Sequence, residues 1–345
     1  MAALETMSDA ELLAVLGRCA NEDSGIGGTT RTITVAGSSA FVKLVRLTDV
    51  EHEAGSGCTS NLFGLPTAYQ YGVGEGSTGF SAWREVTAHQ IASDRVVRGE
   101  WANFPLLHHW RQLPRPTLGA DVESEADLDR AARFWDRSAA VETRLRALDR
   151  STTVVALFLE HVPFVLRDWF PARLAAGAAE SDAAVRLVED QLLRAVGQLR
   201  TAGMSHFDAH FGNVLTDGHR LYLSDFGLMT AERFQLDPAE RVHFRLTIDH
   251  DLAYAATALV NAIVGALIGF QNARQRNDWV RRCADGRSDL ADLRGAPADA
   301  VARYAGVAAV VNDFYWQRHA GNHAWPYPAD AIAASVEHAG LARLP

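Results

Sequence analysis

Between His206 and Gly227 the chain reads HFDAHFGNVLTDGHRLYLSDFG, and this stretch restricts the fold more than any other. Asp208 comes first, Asn213 follows closely, and an apolar Leu221-Tyr222-Leu223 run precedes the second carboxylate, Asp225. The pattern predicts a polar loop followed by a short strand that ends at Asp225-Phe226-Gly227. Mg²⁺ favours oxygen ligands and keeps several waters, so the Asp225 carboxylate and the Asn213 amide oxygen suit it. Two carboxylates and an amide at this spacing suit metal-assisted phosphoryl transfer, with Asp208 a candidate base for an acceptor hydroxyl. A surface loop of ordinary turn formers also carries Asp and Asn, but without this ordered set around an apolar strand.

Such chemistry needs phosphate-binding groups upstream, and the sequence offers them in order. Gly25, Gly27, Gly28 and Thr29 precede Arg31-Thr32-Ile33-Thr34-Val35, an alternating strand, and a second apolar strand carries Lys43 in its middle. Glycines let backbone N–H groups approach phosphate oxygens, and a lysine supplies a point charge. A lysine inside an apolar strand needs a partner unless it guards a sheet edge. Glu85 is the expected partner, on a helix that Ser81 caps and that ends near Gly99. Glu51 and Glu53 lie too close to the strand. The interval from Lys43 to Glu85 is long, so residues 50–75 read as an insertion.

Phe104 to Trp110 and Thr152 to Leu159 read as further strands, the second leading into Glu160-His161-Val162-Pro163. Between them, residues 112–151 form a second insertion with Leu128, Phe134, Trp135, Leu145 and Leu148 on an apolar helical face. That face is a candidate surface for an elongated acceptor. Val185, Val188, Leu192, Val196 and Leu199 predict a long helix closed by Gly203. Asp251 starts a helix, and the run after it, Leu252 to Phe270, is uncharged throughout. Its length would span a bilayer. Tyr254, Thr257, Asn261 and two glycines favour a buried central helix instead.

With 345 residues, 48% hydrophobic content and net charge −9, the chain can build two sizeable cores. Its charge disfavours nucleic acid or anionic membrane as the main partner. Cys19, Cys58 and Cys283 are too scattered for a disulfide framework or zinc site. The stretch from Met1 to Ala20 shows a Ser8-x-x-Glu11 helix start and no secretion signal, so a cytoplasmic location is expected.

From the Gly25 loop through Lys43, Glu85, Glu160 and Asp208 to Asp225, roughly residues 20–270, the order resembles the protein-kinase-like superfamily. His210, two positions after Asp208, is closer to aminoglycoside and other small-molecule phosphotransferases than to eukaryotic-type protein kinases, which usually place lysine there. Phe207 departs from the glycine common in the aminoglycoside enzymes. Stretches such as NLFGLPTAYQYGVG also look similar to uncharacterised bacterial kinase-like proteins.

The resemblance implies an α+β fold of two lobes. Residues 1–160 would form a β-rich nucleotide-binding lobe with the two insertions, and residues 161–345 a mainly helical lobe carrying the catalytic loop and acceptor-binding helices. It further implies ATP with Mg²⁺, adenine held by the Glu160 carbonyl and Val162 amide, and catalysis by Asp208, Lys43 and Glu85. Asn213 and Asp225 would be the metal ligands. The expected acceptor is a hydroxyl of a small molecule such as an antibiotic or metabolite. Alternatives are a precursor peptide whose phosphoserine or phosphothreonine is later eliminated, with a partner enzyme in that pathway, and a nucleotide-binding pseudokinase.

Overall fold

Residues 28–47 form a hairpin in which burial alternates along most of the first strand, while the second strand is buried on both faces. In the computed structural model, which describes residues 2–18, 23–25, 28–73, 76–116, 125–287 and 290–343, the fold is mixed α+β. The chain divides into two compact units, the first made of residues 1–100, 105–162 and 226–241.

The first unit holds an antiparallel sheet of β1 (Asp23–Gly25), β2 (Gly28–Val35), β3 (Ser38–Leu47), β4 (Leu107–Pro114) and β5 (Thr153–Glu160). The strands lie in the order β1-β2-β3-β5-β4. Because side chains alternate along a strand, β3 sends Val42 and Leu44 to one face and Lys43, Val45 and Leu47 to the other. Val42 and Leu44 pack with Leu12 and Leu16 of α2 (Asp9–Leu16), whose start is the expected Ser8/Glu11 capping box. Val45 and Leu47 pack with Trp83 and Val86 of α4 (Ala82–Val97), capped by Ser81 as expected. Lys43 therefore faces the helix that bears Glu85. Gly28 has φ +132°, and a Cβ there would run into the Leu44 carbonyl, so the closeness of β2 to β3 already requires glycine.

The two insertions fold on each other. Helices α5 (Glu125–Phe134) and α6 (Ala139–Arg150) bury Leu128, Trp135, Val141 and Leu145 against Leu65, Tyr69 and Phe80. Trp135 meets Tyr69 edge to face at 4.8 Å. The apolar face of residues 112–151 is thus covered within its own unit, with Phe134 partly buried beside it. The expected division after residue 160 falls after Val162 instead, and residues 226–241 join the first unit. Specific contacts cause this. Phe226 stacks on His89 at 4.3 Å, Gln70 Nε2 donates to the Leu228 carbonyl, and buried Arg84 pairs with Glu240 at 2.7 Å.

The second unit comprises residues 101–104, 163–225 and 242–345. Asn103 belongs to it because its carbonyl accepts from Leu223 N and its amide donates to the Leu221 carbonyl, which delays β4 to Leu107. A small sheet orders β6 (Phe164–Val165), β8 (Val214–Thr216) and β9 (Leu221–Leu223), while β7 (Met204–Ser205) leads into the loop carrying Asp208. α7 (Leu166–Ala175) and α8 (Ala178–Thr201) pack on this sheet, and α10 (His250–Leu267), α11 (Ala273–Ala284), α12 (Gly295–His319) and α13 (Ala329–His338) pack with them and with one another. The chain enters this unit for the last time within α9 (Pro238–Leu246). By length and composition alone α10 could cross a membrane. It is 61% buried and contacts α7, α8, α11, α12 and α13, so packing within the unit accounts for its apolar sequence.

Candidate functional site

The loop from His206 to Asn213, anchored at Ser224 beyond β8 and β9, is built around hydrogen bonds that leave little freedom. Asp208 lies between His206 and His210. His206 Nε2 donates to the Ser224 carbonyl at 2.9 Å, and its Nδ1 accepts from Asp208 N at 3.2 Å. That pair of roles requires a neutral ring protonated at Nε2, and burial lowers the His206 pKa in keeping with it. Asn213 Nδ2 donates to the Asp208 carbonyl at 3.0 Å and to its Oδ2 at 2.8 Å, while His210 Nε2 stands 3.5 Å from Oδ1. Gly212 N donates to His210 Nδ1 at 2.9 Å, and a Cβ on Gly212 would collide with that ring.

Asp208 keeps 28% of its side chain exposed, so the loop presents a carboxylate that is anchored and still reachable. Burial pushes its pKa up, and the Asp225 carboxylate pushes the same way against His210 and Asn213. The hydrogen-bond arrangement leaves Asn213 Oδ1 with no donor among the described residues. Two mutually repelling carboxylates beside an uncommitted amide oxygen fit Mg²⁺, which one or two carboxylates, waters and substrate phosphates can hold. Among the described residues no three His, Cys, Asp or Glu side chains gather into an all-protein metal cage. Magnesium bound with a nucleotide requires none.

Residues 207 and 225 both adopt left-handed backbone conformations, with φ +66° and +60°. Phe207 is costly in that region and must be held there. Its ring stacks on His250 at 4.8 Å and on His243 at 5.8 Å. Burial first, then His250, pulls the His243 pKa down to about 4, so that ring is uncharged at neutral pH. Buried Asp251 completes the clamp by accepting from His206 N at 2.5 Å and Phe207 N at 2.8 Å. Burial alone would raise the Asp251 pKa; the His250 and His206 groups around it hold it below the ordinary range. Sequence reasoning took Asp251 only as a helix start. The one signal for more was its position as the last charge before the uncharged run to Phe270.

In the first unit, Lys43 Nζ and Glu85 Oε1 form a buried ion pair at 2.7 Å across the long sequence interval. His89, one helical turn after Glu85, lies 4.0 Å from the same oxygen and carries the Phe226 stack. Glu51 is engaged elsewhere: it caps Thr48 N and Ala82 N and pairs with buried Arg144 at 3.1 Å. Burial opposes its charge, yet Arg144 and these donors hold its pKa below the ordinary carboxylate range. Gly25 and Gly28 face each other in the β1–β2 ladder, Thr29 is buried opposite Leu44, and Gly27 lies outside the described residues. At the end of β5, Glu160 N donates to the Leu106 carbonyl and its carboxylate accepts from Leu106 N, so the strand ends in a fixed position. Val162 is the last residue before the chain passes into the second unit.

Beside the Asp208 loop, the second unit contains a cavity of about 460 Å³ whose lining includes His210, Tyr254, Asn261, Arg276, Asn277 and Trp316. These residues come from the loop and from α10, α11 and α12, and they form no sequence motif. Compared with known proteins, the chain matches no family model and no curated protein.

Proposed function

We propose that the chain is an ATP- and Mg²⁺-dependent phosphotransferase with a kinase-like two-lobed architecture, acting in the cytoplasm on a hydroxyl of a small molecule. The observation that carries this reading is the Asp208–Asn213 arrangement: one amide grips the carboxylate and backbone of Asp208 while its oxygen remains available. In the proposed reaction Asp208 accepts the acceptor's hydroxyl proton as the acceptor oxygen bonds to the γ-phosphorus and ADP leaves with the bridging oxygen. Lys43, fixed by Glu85, would bind the α- and β-phosphates, and the backbone at Gly25, Gly27, Gly28 and Thr29 would lie along them. The Glu160 carbonyl and Val162 amide would meet adenine. Asp225 and Asn213 would hold Mg²⁺, which when bound neutralises phosphate charge. The cavity beside His210 supports a small acceptor, and the covered face of α5 and α6 removes the main argument for a peptide.

Asp208→Asn tests the proposal on two axes. Turnover, read as a phosphate mass shift on a hydroxyl acceptor, should fall by roughly 10²–10⁴-fold with nucleotide affinity nearly unchanged. Without nucleotide, stability should move the other way. A carboxyl whose folded pKa is raised contributes stability below its unfolded pKa that is lost as pH rises through the folded value. An amide at this position does not ionise and escapes that loss, so the variant should melt no lower than the parent at neutral pH, with any advantage disappearing in acid. Unchanged turnover, or a defect confined to ATP binding, would sink the assignment of the base.

A further inference from the structure

The cavity beside His210 has a definite chemical bias. Among the described residues no Asp or Glu lines it, and its one permanent cation is Arg276, near the start of α11. The Nε atom of Arg276 is enclosed without a hydrogen-bond partner, and no ion pair engages its guanidinium among the described residues. Burial lowers the Arg276 pKa with no carboxylate to offset it. The neighbouring acid, Asp278, is taken by Arg281 at 2.9 Å. Asn277, only 7% exposed, also lines the cavity and has Oδ1 without a donor. A half-buried cation with one enclosed, unpartnered N–H and a buried unpaired carbonyl both leave hydrogen-bonding capacity that a bound ligand can use.

The other walls are aromatic. Tyr254, Tyr315 and the 44%-exposed Trp316 supply ring surface. Tyr254 links the cavity to the loop: burial, then the Asp208 carboxylate, raises the pKa of its phenol. A larger depression of about 650 Å³ surrounds Arg303 and Tyr304, but Glu189 already binds both side chains, so its polar groups need no ligand.

We infer that the cavity takes an acceptor with a flat apolar body, a hydroxyl directed to Asp208 and an anionic end, a carboxylate, bound by Arg276. Asn277 Oδ1 accepts from a donor on the same compound. A polycationic aminoglycoside fits these walls poorly, because Arg276 repels it and no lining carboxylate among the described residues attracts it. The choice of acceptor rests on the phosphotransferase reading, whereas the charge preference of the cavity can be measured without it.

The test is calorimetric titration, without nucleotide, of three probes sharing one hydroxymethyl-aryl body: para-hydroxymethylbenzoate, its carboxamide, and para-aminomethylbenzyl alcohol. The parent should bind the carboxylate roughly ten- to a hundredfold more tightly than the ammonium compound, with the amide between them. Arg276→Gln should remove that preference. Losing an unpaired cation should not lower the melting temperature, which separates this result from misfolding. Equal affinities, preference for the ammonium compound, no saturable carboxylate binding at millimolar concentration, or an unchanged preference in Arg276→Gln would each overturn the inference. If the preference is absent but Asp208-dependent transfer to another acceptor occurs, the cavity assignment fails and the phosphotransferase reading stands. If the preference is present while every acceptor goes unphosphorylated, the reverse holds.

Discussion

Asp225→Asn is expected to abolish measurable phosphoryl transfer, a loss of roughly a thousandfold or more, while leaving the fold intact. The backbone at residue 225 makes this substitution a clean probe. Asp225 sits at φ +60°, a region that asparagine tolerates well, so the exchange adds no strain. Its predecessor, Ser224, stays tied to the Asn213 carbonyl through both N–H and hydroxyl, each within 2.9 Å. What changes is charge: one anionic oxygen pair leaves a site proposed to hold a divalent cation. Removing it also relieves the upward push on Asp208, so any residual activity should persist to lower pH than in the parent. Single-turnover assays at ordinary Mg²⁺ concentration, with circular dichroism as the folding control, provide the check. Lys43→Ala is a poorer probe, because it leaves Glu85 in a buried site without its lysine.

Arg144→Ala should destabilise the first unit by about 3–5 kcal/mol, the usual cost of removing one member of a buried pair. Arg144 is 1% exposed and Glu51 fully buried. Arg144 Nε also donates to the Gly79 carbonyl at 2.8 Å, and its guanidinium lies 5.2 Å from the Phe63 ring centroid. Truncation would therefore strand the Glu51 carboxylate and loosen the approach to α4, which carries Glu85. By the same reasoning α5 and α6 are not a detachable module. Deleting them would uncover Leu65, Tyr69 and Phe80 and remove Arg144 altogether. Thermal melting is the measurement; an Arg144→Ala transition within experimental error of the parent would show that the pair carries no stability.

The site elements that could be read from sequence are those whose partners are local or share a strict period. A lysine inside an apolar strand and a capped, periodic helix made the Lys43–Glu85 pair legible, with the kinase-like order of elements choosing between the available glutamates. The polar loop and the Leu221–Leu223 strand were legible because turn formers and apolar residues separate cleanly there. Three features escaped. The covered face of α5 and α6 looked available because nothing in sequence says that Tyr69 and Phe80 fold back onto it. Residues 226–241 looked like a continuation of the second unit, since Gln70, Arg84 and His89, which hold them, lie far upstream in the chain. The cavity around Arg276 draws its walls from α10, α11, α12 and the loop, and an arginine on an amphipathic helix ordinarily signals solvent. Gly25 and Gly28 were read for phosphate, whereas the ladder and the Leu44 carbonyl give structural reasons for glycine at position 28.

The proposed function requires that the chain bind ATP through magnesium and use it. The most direct measurement is calorimetric titration of ATP into the full chain with and without Mg²⁺, repeated on Asp225→Asn. Saturable binding of one nucleotide per chain that requires Mg²⁺ and is strongly weakened by Asp225→Asn is the predicted result. An absence of ATP binding in the presence of Mg²⁺, or binding indifferent both to the metal and to Asp225, would contradict it.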